Sequence, residues 1–426
     1  MPSNATIGVE TRACKRKHEL CDANAGEAIP GLLNDIVVTH ILGSEHFDDP
    51  ADLARLPAVS RAMRDAVADT GLKFKELDEM RAVELGCLSA VQRLQLAGRL
   101  SRQEYLCEAA ARSGQLKELK LLRAGGCPWD AYTCADAAYG GHLEVLQWAR
   151  ANGCPWDKDT CAAVAQGGHL EVLQWARANG CPWDEETCKY AAEGGHLEVL
   201  QWARAKGCPW DEQTCMVAVG RGHLEVLQWA RANGAPWNAK ELHLAAELGH
   251  KAIVQAIIEA DSKDINATDD GATPLYVAAE EGHEAVVRAL IELGADVNTE
   301  KNGRTPLYMS AEKGHGAVVR ALIRAGAEIN KKDEIGWTPL CATAYEGHEG
   351  LVRTLLEAGA DINIVTNDDQ TPLYIAAQQG QMAVARVLIQ AGADVNAATN
   401  DGRTPLYMAT GLGREPVVRV AGRSGR

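Results

Sequence analysis

From Gly141 to Asp157 the chain runs G-H-L-E-V-L-Q-W-A-R-A-N-G-C-P-W-D, and this alternation of apolar and polar positions then returns. It recurs from Gly168 to Asp184 and, with Lys206 in place of Asn, from Gly195 to Asp211; a fourth copy opens at Gly222 and ends as A-P-W-N at Ala235 to Asn238. Within one copy, Leu170, Val172, Leu173 and Ala176 share one broad face at helical spacing, with Trp175 at its edge, so Leu170 to Ala178 is predicted to be a helix. Arg177 interrupts that face where its stem can still cover apolar surface. Thr160 to Ala165 predicts a shorter helix before it, with Asp157 and Asp159 as N-cap carboxylates. Gly167-Gly168 turns the chain between the two helices, Asn179-Gly180 caps the second, and Pro182 stops it. A two-helix unit of this size cannot bury its apolar face alone. The prediction is therefore an all-α stack, a solenoid in which each repeat covers the next.

One glycine marks the register of the whole series: Gly86, Gly114, Gly141, Gly168, Gly195, Gly222, Gly249, Gly282, Gly314, Gly347, Gly380 and Gly413. Its intervals are 28, five of 27, and then 33, 32, 33, 33 and 33 residues, so the repeats are of two kinds and the chain changes kind at Gly249. The longer repeats place about six more residues between one helix pair and the next. There, Asn302-Gly303-Arg304-Thr305-Pro306-Leu307 predicts a β-hairpin finger followed by a helix start, with Thr305 as cap and Pro306 at the first helical position. The same device stands at Asp270-Gly271, Gly336-Trp337, Asp369-Gln370 and Asp401-Gly402.

The longer pattern, T-P-L-x-x-A-A-x-x-G-H-x-x-V-V-x-x-L-I-x-x-G-A-D-V-N, resembles the ankyrin repeat from Leu242 to Asn396. The shorter repeats keep its A-x-x-G-H-L-E-V-L core and resemble ankyrin repeats with Cys-Pro-Trp-Asp in place of the finger. The chain departs from the family where Tyr276, Tyr308, Tyr374 and Tyr407 stand for the His of T-P-L-H, and again at Cys341-Ala342. The hydrogen bond of that His must be replaced or missing. Pro416 falls inside the expected last helix, which predicts a frayed end there.

Ahead of the repeats, residues 1–28 lack periodicity and read as a disordered tail. Residues 29–72 predict a small helical head, Leu32, Ile36 and Ile41 against Leu53, Leu56, Val59 and Met63. This head resembles an F-box, with Leu33 at the family's Pro position and Met63 at its Trp. The resemblance implies docking on a Skp-type linker of a cullin ubiquitin ligase through Leu32, Ile36, Ile41, Leu53 and Val59; the alternative is a plain N-terminal cap for the stack. Residues 73–106 read as a degenerate first repeat or linker, 107–241 as five 27-residue repeats, and 242–426 as 33-residue repeats with an incomplete last one.

Composition narrows the function. The 426 residues carry 43 basic and 58 acidic side chains, a net charge of −15, which disfavours a nucleic-acid partner needing a basic stripe. No stretch is long and apolar enough for a membrane span, and the N-terminus lacks a secretory signal. The expectation is an intracellular, cytoplasmic monomer, with a nuclear import signal as the other reading of Lys15-Arg16-Lys17-His18. Most of the 13 cysteines recur at repeat positions, as buried, reduced apolar residues do. Cys154 and Cys161 are seven apart with no C-x-x-C pair, so no metal is expected. No phosphate loop, Ser elbow or H-E-x-x-H is present, so neither a cofactor nor catalysis is expected. Two tryptophan stripes, one on second helices and one after Pro, recur so regularly that they predict packing between repeats.

Recognition is then sought where the copies differ. Second helices are nearly identical, whereas first helices vary at Tyr132, Asp136, Lys158, Glu185, Lys189, Tyr190, Glu212 and Met216, and fingertips vary at Glu300, Lys301, Lys332 and Asp333. The ankyrin resemblance implies that these positions line a concave face that takes a protein partner.

Overall fold

A computed structural model of the chain describes residues 103–260 and 265–424, with side chains from Tyr105 to Arg419. The tail, the F-box-like head with Leu32, Ile36, Ile41, Leu53 and Val59, and residues 73–102 lie outside the described residues. The chain divides into two compact units, Met1–Pro128 and Trp129–Arg426. Among the described residues there are 22 helices and no β-strand.

In the first unit, α1 (Gln103–Arg112) and α2 (Leu116–Ala124) form a helical hairpin that buries Leu106, Cys107, Leu119 and Leu122. The second unit is a run of ten helix pairs. Its short repeats comprise α3 (Ala131–Tyr139) with α4 (Leu143–Ala151), α5 (Lys158–Gly167) with α6 (Leu170–Ala178), α7 (Glu185–Glu193) with α8 (Leu197–Ala205), and α9 (Glu212–Gly220) with α10 (Leu224–Ala232). The change of kind occurs at α11 (Lys240–Glu247) and α12 (Lys251–Ala260). The long repeats follow: α13 (Pro274–Glu280) with α14 (Glu284–Glu292), α15 (Pro306–Glu312) with α16 (Gly316–Arg324), α17 (Pro339–Glu346) with α18 (Glu349–Glu357), α19 (Pro372–Gln379) with α20 (Met382–Gln390), and α21 (Pro405–Gly411) with α22 (Glu415–Ser424).

Within the second unit, each first helix lies against its own second helix and against the neighbouring first helices of that unit. The repeated leucines Leu146, Leu173, Leu200 and Leu227 are buried at these contacts, each stabilising the stack by about 1.5–3 kcal/mol. Of the two carboxylates expected to cap α5, Asp157 does so and Asp159 lies inside the first turn. The Asp157 carboxylate accepts from the Asp159 N–H at 3.1 Å, and Thr305 Oγ1 accepts from the Tyr308 N–H at 3.2 Å, with Pro306 opening α15. Gly168, at φ 77°, closes α5 in the left-handed region, and a Cβ there would lie 2.5 Å from the His196 ring. Both conditions demand glycine. That histidine bridges repeats: its Nε2–H donates to the carbonyl of Gln166 at 2.9 Å. His169, His223, His283, His315 and His348 bond likewise to Tyr139, Glu193, Glu247, Glu280 and Glu312, in short and long repeats alike.

Two expectations change. The fingers are not β-hairpins with strands; among the described residues they hold only isolated bridges, Asp269 with Ala272 and Lys301 with Arg304. Asp270-Gly271 (φ 48° and 77°) and Asn302-Gly303 (φ 54° and 71°) have the paired positive φ of a hairpin turn. The flanking residues go directly into loop and helix cap, so no ladder extends from either turn. At the other end, Pro416 does not fray the last helix, because it sits in the first turn of α22, where a missing N–H costs nothing. The tyrosines that replace the T-P-L-H histidine are buried at Tyr276, Tyr308 and Tyr374, and the Arg304 guanidinium lies 4.9 Å from the Tyr308 ring. At the change of kind, His243 makes such a bridge itself, through Nε2 to the Ala272 carbonyl at 2.9 Å.

Candidate protein-binding face

Two rows of side chains join the short repeats along their second helices. Trp156 and Trp175 meet edge to face at 5.9 Å, as do Trp129 with Trp148, Trp183 with Trp202 and Trp210 with Trp229 at 5.7–6.0 Å. The guanidinium of Arg177 lies over Trp183 of the next repeat at 4.0 Å, and Arg150, Arg204 and Arg231 lie over Trp156, Trp210 and Trp237. Arg177 also donates to the carbonyl of Cys181. The tryptophan and arginine repeated in each second helix are thus engaged by nearby rings, while Glu171 and Gln174 of the same repeated sequence stay exposed: an aromatic pair contributes about 0.5–1.5 kcal/mol beyond its area and a cation over a ring about 0.5–2.

The cysteines are internal too. The ten described cysteines are all buried, and Cys134, Cys161 and Cys188 meet Cys154, Cys181 and Cys208. The hydrogen bond between paired thiols, followed by burial, pushes the pKa of Cys134, Cys161 and Cys188 far up, so they stay protonated. Sulfur here seals the loop: Cys181 Sγ donates to the Asp157 carbonyl at 3.3 Å. Among the described residues no three His, Cys, Asp or Glu side chains converge as a metal ion would need, and no helix is long and apolar enough to cross a membrane.

The varying positions behave differently. Neighbouring first helices α3, α5, α7 and α9 carry Tyr132, Lys158, Glu185 and Glu212 in their opening turns, all exposed, with Tyr132 64% accessible. Asp136, Lys189, Tyr190 and Met216 follow on the same helices, half-buried. Some of these charges also serve the stack. Lys158 Nζ pairs with Asp184 at 2.6 Å, and that contact raises its pKa. Lys189 pairs with Glu186 at 2.9 Å and lies 5.4 Å above the Tyr190 ring.

The fingertips form a second group. Lys331 reaches Glu300 at 2.6 Å, Lys301 reaches Asp270 at 3.1 Å, and Lys332 donates to the Val365 carbonyl at 2.7 Å. Asp333 is corrected from surface contact to buried support: it is 8% accessible, and its Oδ1 accepts from the N–H groups of Ile335 and Trp337. Two neighbouring fingers with α13 and α15 line a cleft of about 380 Å³, which takes in Lys301 and Asp333 together with Tyr276, Glu280, Arg304, Met309 and Ile335. These last five were not among the sequence candidates. Among the long repeats the Met309 position varies, with Val277, Ala342 and Ile375 as its equivalents, which is a sequence signal for that residue.

Residues 215–301, 297–366 and 363–421 match the family model for ankyrin repeats in three copies. The match starts inside the last short repeat; the earlier short repeats, which lack finger and T-P-L, fall before it. No curated protein matches the chain.

Proposed function

We propose that the repeats bind a protein through the face made by the first helices and the fingertips. The observation that carries this reading is the contrast within each repeat. The second helices repeat residue for residue, with their tryptophan and arginine engaged by nearby rings, whereas the first helices change from copy to copy: Ala131, Lys158, Glu185 and Glu212 open them, and Tyr132, Asp159, Glu186 and Gln213 follow. Such rigid elements presenting varied side chains suit recognition of a folded or extended protein, and the ankyrin match supports the same role. The test is cross-linking in the native cell with the chain and with a Tyr132→Ala, Glu185→Lys, Glu212→Lys variant. The variant should melt like the parent and lose its cross-linked partners; retention of the same partners at the same yield sinks the proposal.

A narrower role rests on the sequence of residues 29–72 alone: substrate recruitment for a cullin-type ubiquitin ligase, the head docking on a Skp-type linker. Pull-down with such a linker decides it. Binding that survives changes at Leu32, Ile36 and Leu53, or no binding at all, removes the adaptor role and leaves the array's role standing.

A further inference from the structure

The cleft between the fingers has a chemistry of its own. Its inner wall is apolar, with Tyr276 and Met309 each 5% accessible, and Ile335 stands exposed at its rim. Its charges do not balance. Arg304 is held between Glu312 at 3.6 Å and Asp333 at 3.5 Å, its guanidinium 4.9 Å above the Tyr308 ring. Lys301 is held by Asp270. Both cations of the cleft are therefore already paired with carboxylates of the same chain, Arg304 with Glu312 and the buried Asp333, and Lys301 with the exposed Asp270. Glu280 and Glu334 line the same cleft and have no ion-pair partner among the described residues. The charge of Glu280 is felt within the cleft: after burial, it is the next cause that pushes the Tyr276 hydroxyl up to about 12.

An anion would meet surplus negative charge here and two cations already engaged. A purely apolar group would leave both carboxylates facing it unmatched. A side chain with an apolar stem and a cationic head satisfies both parts, the stem along Met309, Tyr276 and Ile335 and the head between the two carboxylates. Resting on the protein-binding reading above, we propose that this cleft takes a lysine or arginine side chain from an extended segment of the partner, with Glu280 and Glu334 as its counter-charges. The partner is thus basic at the point where it crosses the fingers Asn302-Gly303 and Glu334-Ile335.

The cleft can be tested without knowing the partner, by methyl NMR of the full chain titrated with single-residue probes. N-acetyl-arginine amide or N-acetyl-lysine amide should shift the Met309 and Ile335 methyls saturably, with a Kd on the order of 1 mM, as suits one side chain. N-acetyl-norleucine amide, with a stem and no charge, and N-acetyl-glutamate amide should bind at least tenfold more weakly. A Glu280→Gln, Glu334→Gln variant should weaken the basic probes at least tenfold, and raising ionic strength should weaken them in the parent. Equal binding of the norleucine or glutamate probe, no saturable shift from either basic probe, or an affinity within twofold of the parent in the double variant overturns the proposal. The cross-linking variants lie on α3, α7 and α9, remote in sequence from these residues, so the cleft and the wider binding role can fail separately.

Discussion

The short and long repeats solve the same joint with different chemistry. Both lock a glycine turn beneath the histidine of the following repeat, as Gly168 under His196 and Gly282 under His315. They differ in what fills the space after the second helix. In short repeats, neighbouring first helices approach closely while second helices stand apart, and the stacked Arg177 and Trp183 fill that gap. In long repeats the second helices come together, and an asparagine ladder stitches the loops: the Asn266, Asn298, Asn330 and Asn363 side chains accept from the N–H groups of Asp296, Glu328, Asp361 and Asp394 at 2.8–3.0 Å. The part common to both kinds is the turn that sets register, and the part that differs is a spacer. A stack can therefore exchange an aromatic–cation joint for a polar one and keep its helices in order.

If the turn is the common element, damage there should exceed damage to either spacer. Gly168→Ala combines positive φ with a Cβ 2.5 Å from the His196 ring, and should destabilise its repeat by about 2–4 kcal/mol through strain and loss of the histidine bond. Gly180→Ala, also at positive φ (83°) but with no atom within 4 Å of the added Cβ, should cost only about 1 kcal/mol. Native-state hydrogen exchange at Leu173 and Leu200 reads the difference repeat by repeat, which a single melting temperature for a repeat array does not. Equal losses at the two glycines would mean that backbone strain alone, without the ring contact, sets the cost.

The two spacers should come next, and near each other. Arg177→Ala removes a cation from the Trp183 face and a donor from the Cys181 carbonyl, for about 1–2 kcal/mol; Asn298→Ala removes one acceptor, for about 1 kcal/mol. A double-mutant cycle of Arg177→Ala with Trp183→Leu should show coupling of about 0.5–1 kcal/mol. Additivity would reduce the stacked arginine to a bystander.

Much of this was legible in the sequence, for reasons of spacing. Helix α6 could be read as Leu170 to Ala178 because its ends are marked by Gly168 and by Asn179-Gly180, and the Thr305-Pro306 cap because both residues have one favoured place at a helix start. The partners of long-range contacts were not legible. Nothing near Arg177 in sequence says that its guanidinium lies over Trp183 as well as binding the loop carbonyl, since that follows from how far apart the second helices stand. The fingers misled in one respect: Asn302-Gly303 specifies a hairpin turn, but strand pairing needs flanking residues that here serve as loop and cap. Glu280 was missed because its carboxylate acquires meaning only beside Met309 and the finger of Glu334.

At the boundary between the kinds, Glu241 of α11 is 1% accessible; Oε2 accepts from the Asn238 N–H at 2.8 Å and Oε1 has no partner. Burial raises its pKa above the ordinary 4.5, against the opposing pull of backbone hydrogen bonds and Arg231. A raised folded pKa means that the folded state binds the extra proton, so stability at this joint falls as pH rises from 4.5 through the folded value and is level above it. Glu241→Gln should flatten that segment of the profile and leave the joint no less stable at pH 7. Exchange at Leu242 measured across the window checks it, and a slope unchanged by the substitution assigns the effect to another group.

The smallest effect separates the arginines of the two kinds. Arg288 in α14 pairs with Glu284 one turn away, both half in solvent at 46% and 41% side-chain accessibility. Such an exposed i,i+4 pair is worth about 0.3–0.5 kcal/mol, and salt screens it. Arg288→Ala should therefore cost no more than about 0.5 kcal/mol in dilute buffer and almost nothing in 1 M NaCl, where the Debye length falls to about 3 Å. The cost of Arg177→Ala should survive the same salt in large part, because its cation rests on a ring face and a carbonyl at short range, half-buried between repeats. Should salt erase both costs alike, the short-repeat joint would be an ordinary surface charge contact, and the distinction between aromatic and polar spacers would lose its energetic basis.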